Sequence, residues 1–485
     1  MNSKKIFKGL VLGAVLAGLV LTAAAQKHPR ELGPAPELKF KLTKPAMFTL
    51  SNGIRCFYME DRELPLISLR GFIKGGNFCQ PAEKTGLASL VGQVLRTGGT
   101  KTRAGDQINE ELEFIAASIE SSVNNEYLTV SGSSLKKDFA KLIELYADIL
   151  MNPEFRQDKI DLAKNQTYEG MRRRWDQPMQ VAMLLFNEKI YGADTPFGRS
   201  STPASVKAVT RDDLIAFYKR YSAPNNFTLG ISGDLSMSEA KAALEKAFQG
   251  WAQKKVTFME VAPPVEKADG TIYYASKETP QGNVFMGHLG IAQKSPDEFK
   301  VEVMNDILGG GGFTARLMKE LRSNRGLTYG IYGGVNEGTG KYRGVFQIGS
   351  QLKAAKFVEA VETIKAIIRD IQTNPVTDEE IATAKNSLIN SFVFRFEQKS
   401  QILAQFMSLK LDGYADSYLE TYIDNIRKVT KADIQDAARK YMDPAKMILV
   451  VVGDEKKFDK PLSSLGKVKE IDIKALQEAE KGPVK

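Results

Sequence analysis

The sequence predicts an α+β fold made of two homologous domains, and three observations predict it. Residues 210–234 (TRDDLIAFYKRYSAPNNFTLGISGD) and 430–454 (TKADIQDAARKYMDPAKMILVVVGD) align without a gap at a constant offset of 220. Asp213 falls on Asp433, Tyr221 on Tyr441, Pro224 on Pro444, and both blocks open on Thr and close on Gly-Asp. A second pair of blocks starts at Asn152-Pro153 and Asn374-Pro375, each followed by an apolar-periodic helix carrying Ala-Lys-Asn, at 163–165 and 384–386. Third, strand-like and helix-like periodicities mix in each half. This is a duplication and not a solenoid, because solenoid periods run only to about 50 residues.

Each element follows from its pattern. In the first half, 53–61 and 67–73 read as strands joined by a short Leu64-Pro65 turn, and Leu142, Leu145, Tyr146 and Ile149 recur at helical spacing. The repeated block reads as a capped helix, a proline turn and an apolar strand. Residues 251–269 are polar, with a Pro263-Pro264 stop, and serve as the linker. In the second half 283–291 and 342–352 read as strands, while Phe357, Val361, Ile364, Ile368 and Ile371 stripe a core helix. The expected domains are 45–250 and 270–460, each a mostly antiparallel sheet packed with helices, followed by a charged tail at 461–485.

Length and composition agree. At 485 residues the chain exceeds one ordinary core, and 43% apolar with 26% charged residues is a globular balance. The first 25 residues are distinct: Lys4, Lys5 and Lys8, an uncharged apolar run over 9–21, then small residues before Gln26. This is the pattern of a cleaved export signal, too short for a stable membrane anchor, so a periplasmic protein starting near Gln26 is expected. The net charge of +9, or +6 without the three leader lysines, is spread along the chain; Arg172-Arg173-Arg174 is the one tight cluster, and no nucleic-acid partner is expected. Cys56 and Cys79 are the only cysteines and are expected to be free thiols.

The chemistry-bearing stretch is 308–334, LGGGGFTARLMKELRSNRGLTYGIYGG. Gly309, Gly310, Gly311 and Gly312 lead into a helical run bearing Arg322, and Tyr329 follows seven residues later. A guanidinium and a phenol beside a flexible glycine turn suit the gripping and polarising of a peptide carbonyl. No Gly-Lys-Ser/Thr follows, which argues against a phosphate loop. Only two histidines exist, His28 and His288, far apart and without metal-ligand spacing.

These residues carry a resemblance. LSNGIR (50–55), GLASLVGQVLRTGGT (86–100), the DQP…YG…PFGR block (176–199), the Tyr-x-x-Pro-x-Asn…Gly-Asp ending (221–234) and 308–330 together resemble the insulinase/pitrilysin-type metallopeptidases, the inverted-zincin group that includes mitochondrial processing peptidase. Active members place His-x-x-Glu-His on the helix that begins at Gly86, the histidines holding zinc and the Glu acting as base. Here the matching positions are Ser89, Gly92 and Gln93, and Glu169, some 76 residues on, stands where the third ligand is expected. The resemblance therefore implies a chain without metal of its own. Reversion of the three positions should favour the helix, since an interior Gly costs about 1 kcal/mol.

The resemblance further implies that each pair of domains is half of a clam-shell chamber, and that Arg322 and Tyr329 complete a zinc site in a second chain. The expected partner is a homologous subunit bearing the zinc motif, in a heterodimer that cleaves peptides; zinc resides in the partner and no cofactor in this chain. The alternative is a structural or peptide-binding subunit with no part in catalysis.

Overall fold

Twelve strands form two six-stranded sheets among residues 42–480, the part of the chain that this computed structural model describes. The expected leader lies outside the described residues. The first sheet contains β1 (Ala46–Thr49), β2 (Arg55–Glu60), β3 (Leu66–Lys74), β4 (Ser118–Val123), β5 (Tyr127–Leu135) and β6 (Phe227–Gly233), in the order β1-β2-β6-β3-β5-β4. The second contains β7 (Ile272–Ser276), β8 (Gln281–Ala292), β9 (Thr328–Val335), β10 (Arg343–Lys353), β11 (Ile448–Gly453) and β12 (Val468–Glu470), in the order β12-β7-β11-β8-β10-β9. All neighbours are antiparallel except β2–β6, β7–β11 and β7–β12. The fold is α+β.

The same five-strand order recurs in each sheet, β2-β6-β3-β5-β4 against β7-β11-β8-β10-β9. The repeated block supplies the second strand both times. Its helices, Arg211–Tyr221 and Lys431–Tyr441, are capped alike: Thr210 and Thr430 accept from the backbone N–H of Asp213 and Asp433, whose carboxylates accept in return. Such reciprocal caps satisfy amide groups that a helix start leaves unpaired.

Two readings of the sequence need correction. The Leu64-Pro65 turn does not close a hairpin, because β6 inserts between β2 and β3 and pairs with both. β6 is buried along its whole length and so takes a central place. The charged tail is also folded in part: β12 adds the sixth strand, and Ile473–Ala479 is helical. Each sheet thus borrows its outermost strand from a different end of the described chain, β1 from before the first repeat and β12 from after the second.

The halves exchange helices. Pro178–Tyr191, from the first half, lays Val181, Phe186 and Leu185 against Phe285, Val450 and Val452 of the second sheet. Lys399–Leu411, about 220 residues on, crosses the first sheet in return. The contact is close: a Cβ on Gly230 of β6 would stand 2.3 Å from Met407 Sδ and 2.8 Å from Leu403 Cδ2. Glycine there lets the helix seat on the sheet, and this reciprocal burial makes one packed body of the two halves. Residues 251–269 contain no helix or strand. Trp251 and Phe258 tie that connection to the first half by stacking on Phe248 and Tyr221.

Candidate functional site

The helix Leu87–Thr97 starts at Gly86, whose φ of 110° suits glycine, and buried Gln80 accepts there from the backbone N–H groups of Gly86 and Ala88. Ser89 donates to Asn77 Oδ1 at 3.2 Å. Gln93, one turn on, is exposed, and Gly92 is buried against β4. A Cβ on Gly92 would lie 2.9 Å from Val123 Cγ2 and 3.1 Å from Val123 N, and its carbonyl accepts from Ser121 Oγ at 2.6 Å. The edge strand has closed onto the helix where a general base would project. The expectation that reversion would favour the helix is therefore corrected: a side chain at 92 meets backbone.

Glu169, on Gln157–Arg174, is exposed and paired with Arg172 at 2.7 Å. It does not line the cavity over Ser89. That cavity, of about 280 Å³, is walled by polar groups of the first half, among them Asn77, Gln80, Asn125, Arg174 and Arg199. Among the described residues no three His, Cys, Asp or Glu side chains converge as a metal site. His288 is occupied elsewhere. Its Nε2 accepts from the backbone N–H of Asp443 at 2.9 Å, so Nδ1 carries the proton and donates to the Leu289 carbonyl at 2.9 Å. Burial holds its pKa below the ordinary value, which keeps the ring neutral. Cys56 and Cys79 are not joined, and burial pushes the Cys56 thiol up to about 12.

The glycine run ends one wide turn and opens the next. Gly311 N–H donates to the Asp306 carbonyl at 2.8 Å, closing the π-type turn Asp306–Gly310. Gly309 is packed where a Cβ would stand 2.6 Å from the Gly333 carbonyl of β9. Gly312 has φ 60° and starts a short 3₁₀ turn, Gly312–Thr314, that places Phe313 outward, 63% exposed. The segment Met318–Asn324 then carries Arg322, whose guanidinium carbon is 4.6 Å from the Phe313 ring centre and 4.5 Å from that of Tyr329. Glu320 is held by Arg325 at 2.6 Å and by Asn324 at 2.7 Å. Among the described residues Arg322 pairs with no carboxylate, and the ring faces hold its charge in place.

Tyr329 projects because β9 is bulged. Thr328 pairs with Leu352 and Ile331 with Ser350, so β9 spends one residue more than β10 over that interval. Buried Thr328 and Ser350 brace the bulge. Thr328 Oγ1 accepts from Gly330 N–H at 3.1 Å and donates to the Gln351 carbonyl at 2.8 Å, while Ser350 Oγ donates to the Gly330 carbonyl at 2.9 Å. β9 is the edge of its sheet, and Tyr329 is 82% exposed. The structure thus brings Gly312, Arg322 and Tyr329 together by way of Phe313. It places neither Arg322 nor Tyr329 in the wall of the Ser89 cavity. The sequence reading missed Phe313 and the Thr328–Ser350 brace; the signal for Phe313 was its position directly after the glycines.

Two family models match the chain: insulinase, peptidase family M16, over residues 65–199, and the peptidase M16 inactive domain over 208–388. The chain belongs to the M16 insulinase family. A relative described as the non-peptidase homolog YmxG of Helicobacter pylori is 25% identical over 403 residues, covering 82% of this M16 chain and 92% of the relative. The structure of a peptidase M16 inactive domain from Pseudomonas fluorescens has a TM-score of 0.78 and 26% identity, covering 87% of this chain and all of that one. The periplasmic protease PqqL of Escherichia coli shares the fold, with a TM-score of 0.73 at 12% identity; the match covers 88% of this chain and 48% of PqqL. This M16 chain is of the inactive type, without the zinc motif.

Proposed function

We propose that this chain is the non-zinc-binding subunit of an exported, periplasmic heteromeric metallopeptidase. A homologous partner supplies zinc, its bound water and the general base. This chain supplies Arg322 to hold a substrate carbonyl and Tyr329 to donate to the oxyanion of the tetrahedral intermediate, with Gly309–Gly312 as the turn beside the peptide. The observation that carries the reading is the Arg322 environment: a guanidinium fixed between two exposed rings, with no carboxylate partner among the described residues. A purely structural role gives no reason to hold such a charge against the ring of Tyr329, which a braced bulge projects outward.

Two further observations support pairing and export. PqqL, described as a periplasmic protease, is a chain of which this one matches about half, so that chain is about twice as long as the part matched here. The leader pattern over 1–25 supports export. Mixing the purified mature chain with a homologous chain bearing an intact His-x-x-Glu-His tests the reading. Co-elution on size exclusion and cleavage of a quenched-fluorescent peptide by the mixture alone are expected. Full cleavage by the zinc-bearing chain in isolation would leave this subunit a scaffold or binding module.

A further inference from the structure

At the C-terminal end of Gln157–Arg174 the chain holds one of its own carboxylates. Arg174 donates from Nε to Glu480 Oε2 at 3.1 Å and from Nη2 to Oε1, and Trp175 Nε1 donates to Glu480 Oε2 at 2.6 Å. Three donors on one carboxylate, two from a guanidinium fork, make a shaped recognition site for that group. Arg174 also lines the 280 Å³ cavity over Ser89. A second guanidinium, Arg199, lines that cavity and donates to the Asp194 carbonyl at 2.8 Å. Asn77 and Asn125 add amide groups to the wall. Two guanidinium groups therefore line the cavity, and one of them, Arg174, is also held by the tail carboxylate of Glu480, which is not part of the wall.

Glu480 is not needed to dock the tail. β12 pairs with β7, and Ile473 is buried with Leu476 against the cluster containing Val181 and Phe186. The tail helix is anchored by apolar contact independently of the carboxylate of Glu480, which stands at its C-cap.

We propose that Arg174, Trp175 and the adjoining cavity form a binding site for a peptide carboxylate, and that Glu480 is its built-in competitor. In this reading the cavity over Ser89 is an acceptor for an acidic residue or a free C-terminus. Release of Glu480 frees the fork of Arg174, a residue that also lines the cavity, and rebinding of the tail occupies it again. This inference concerns the isolated chain and does not rest on the pairing proposed above.

Trp175 reports on its own site. The chain has two tryptophans, so a Trp251→Phe background leaves Trp175 as the only one. In that background, tryptophan fluorescence is titrated with three peptides: Ac-Ala-Ala-Glu-amide, Ac-Ala-Ala-Ala as the free acid, and Ac-Ala-Ala-Gln-amide. Removing an intramolecular competitor raises apparent affinity by the reciprocal of the fraction of sites it had left free, roughly tenfold for a tail bound nine-tenths of the time. Glu480→Ala should therefore bind at least one acidic peptide about tenfold tighter than the parent, and Glu480→Gln, which keeps the packing, should follow it. Whether the amide or the free acid binds distinguishes a side-chain carboxylate from a terminal one. Adding Arg174→Gln should abolish the binding, and the Gln peptide should bind none of the variants. Equal affinities in the parent and both Glu480 variants, or binding that survives Arg174→Gln, would overturn the proposal.

Discussion

The guanidinium of Arg322 stands 4.5 Å from the centre of the Tyr329 ring, with Phe313 4.6 Å away. Sequence spacing alone allowed a surface ion pair between Arg322 and Glu320. Glu320 instead belongs to Arg325, which also reaches Glu359 at 3.6 Å. The two arginines, three residues apart, therefore do different work. Exposed ion pairs contribute about 0–1 kcal/mol, so Arg325→Ala should shift the unfolding midpoint slightly and leave the Arg322 stack alone. Urea unfolding checks the first expectation. Activity of the mixed complex, unchanged in Arg325→Ala, checks the second.

Rebuilding the zinc motif should fail. Ser89→His, Gly92→Glu and Gln93→His together put a carboxylate where β4 already packs, and Glu169 remains exposed and paired with Arg172. Gly92→Ala alone isolates the steric term. Helix propensity favours alanine by about 1 kcal/mol, whereas overpacking typically costs about 1–3 kcal/mol, so a net loss of stability is expected. Metal analysis of the triple variant should find no stoichiometric zinc, and tightly bound zinc at one per chain would refute the closed-site account.

The bulge under Tyr329 should depend on its hydroxyl brace. Thr328→Val keeps the shape but leaves the half-buried Gly330 N–H without its acceptor, a defect costing about 1 kcal/mol. Ser350→Ala removes one donor to the Gly330 carbonyl and should cost less. Thermal unfolding ranks the two. In the mixed complex Thr328→Val should lower kcat by displacing Tyr329, and an unchanged kcat would separate the brace from the site.

Stability should fall as pH rises through neutrality. Burial, and then the neighbouring Glu337 charge, pushes the Glu298 carboxyl up to about 7, while the Tyr418 hydroxyl opposes the shift. Glu298 Oε2 is buried without a partner. Burial likewise raises Asp306 to about 6 and lifts Glu302 and Glu337. An acid whose folded pKa is raised contributes stability below its unfolded value, near 4.5 for Glu298, and loses it as pH climbs to about 7. The urea midpoint should therefore drop between pH 5 and pH 8. Glu298→Gln should flatten that slope by about 1 kcal/mol, discounted because the group is only partly buried. Parallel curves for variant and parent would contradict the assignment.

Much of this was legible in the sequence. The 220-residue offset exposed the duplication because matched caps and a buried strand recur with it, and the sequence holds no His-x-x-Glu-His. The insertion of β6 between β2 and β3 was hidden, since its partners are distant in sequence and the Leu64-Pro65 turn suggested a hairpin. Phe313, the bulge and the Arg174–Glu480 clasp were hidden for the same reason. A ring stack, a register slip and a tail contact across some 300 residues leave no periodic trace.

The account stands most directly on Tyr329. In the assembled complex with a zinc-bearing partner, kcat/KM for Tyr329→Phe should fall by about 10²–10³, the usual loss for one oxyanion donor, with co-elution of the two chains unchanged. Arg322→Ala should act on both KM and kcat. Wild-type kcat/KM with Tyr329 and Arg322 both replaced, in a complex that still assembles, would contradict the claim that this chain completes its partner's site.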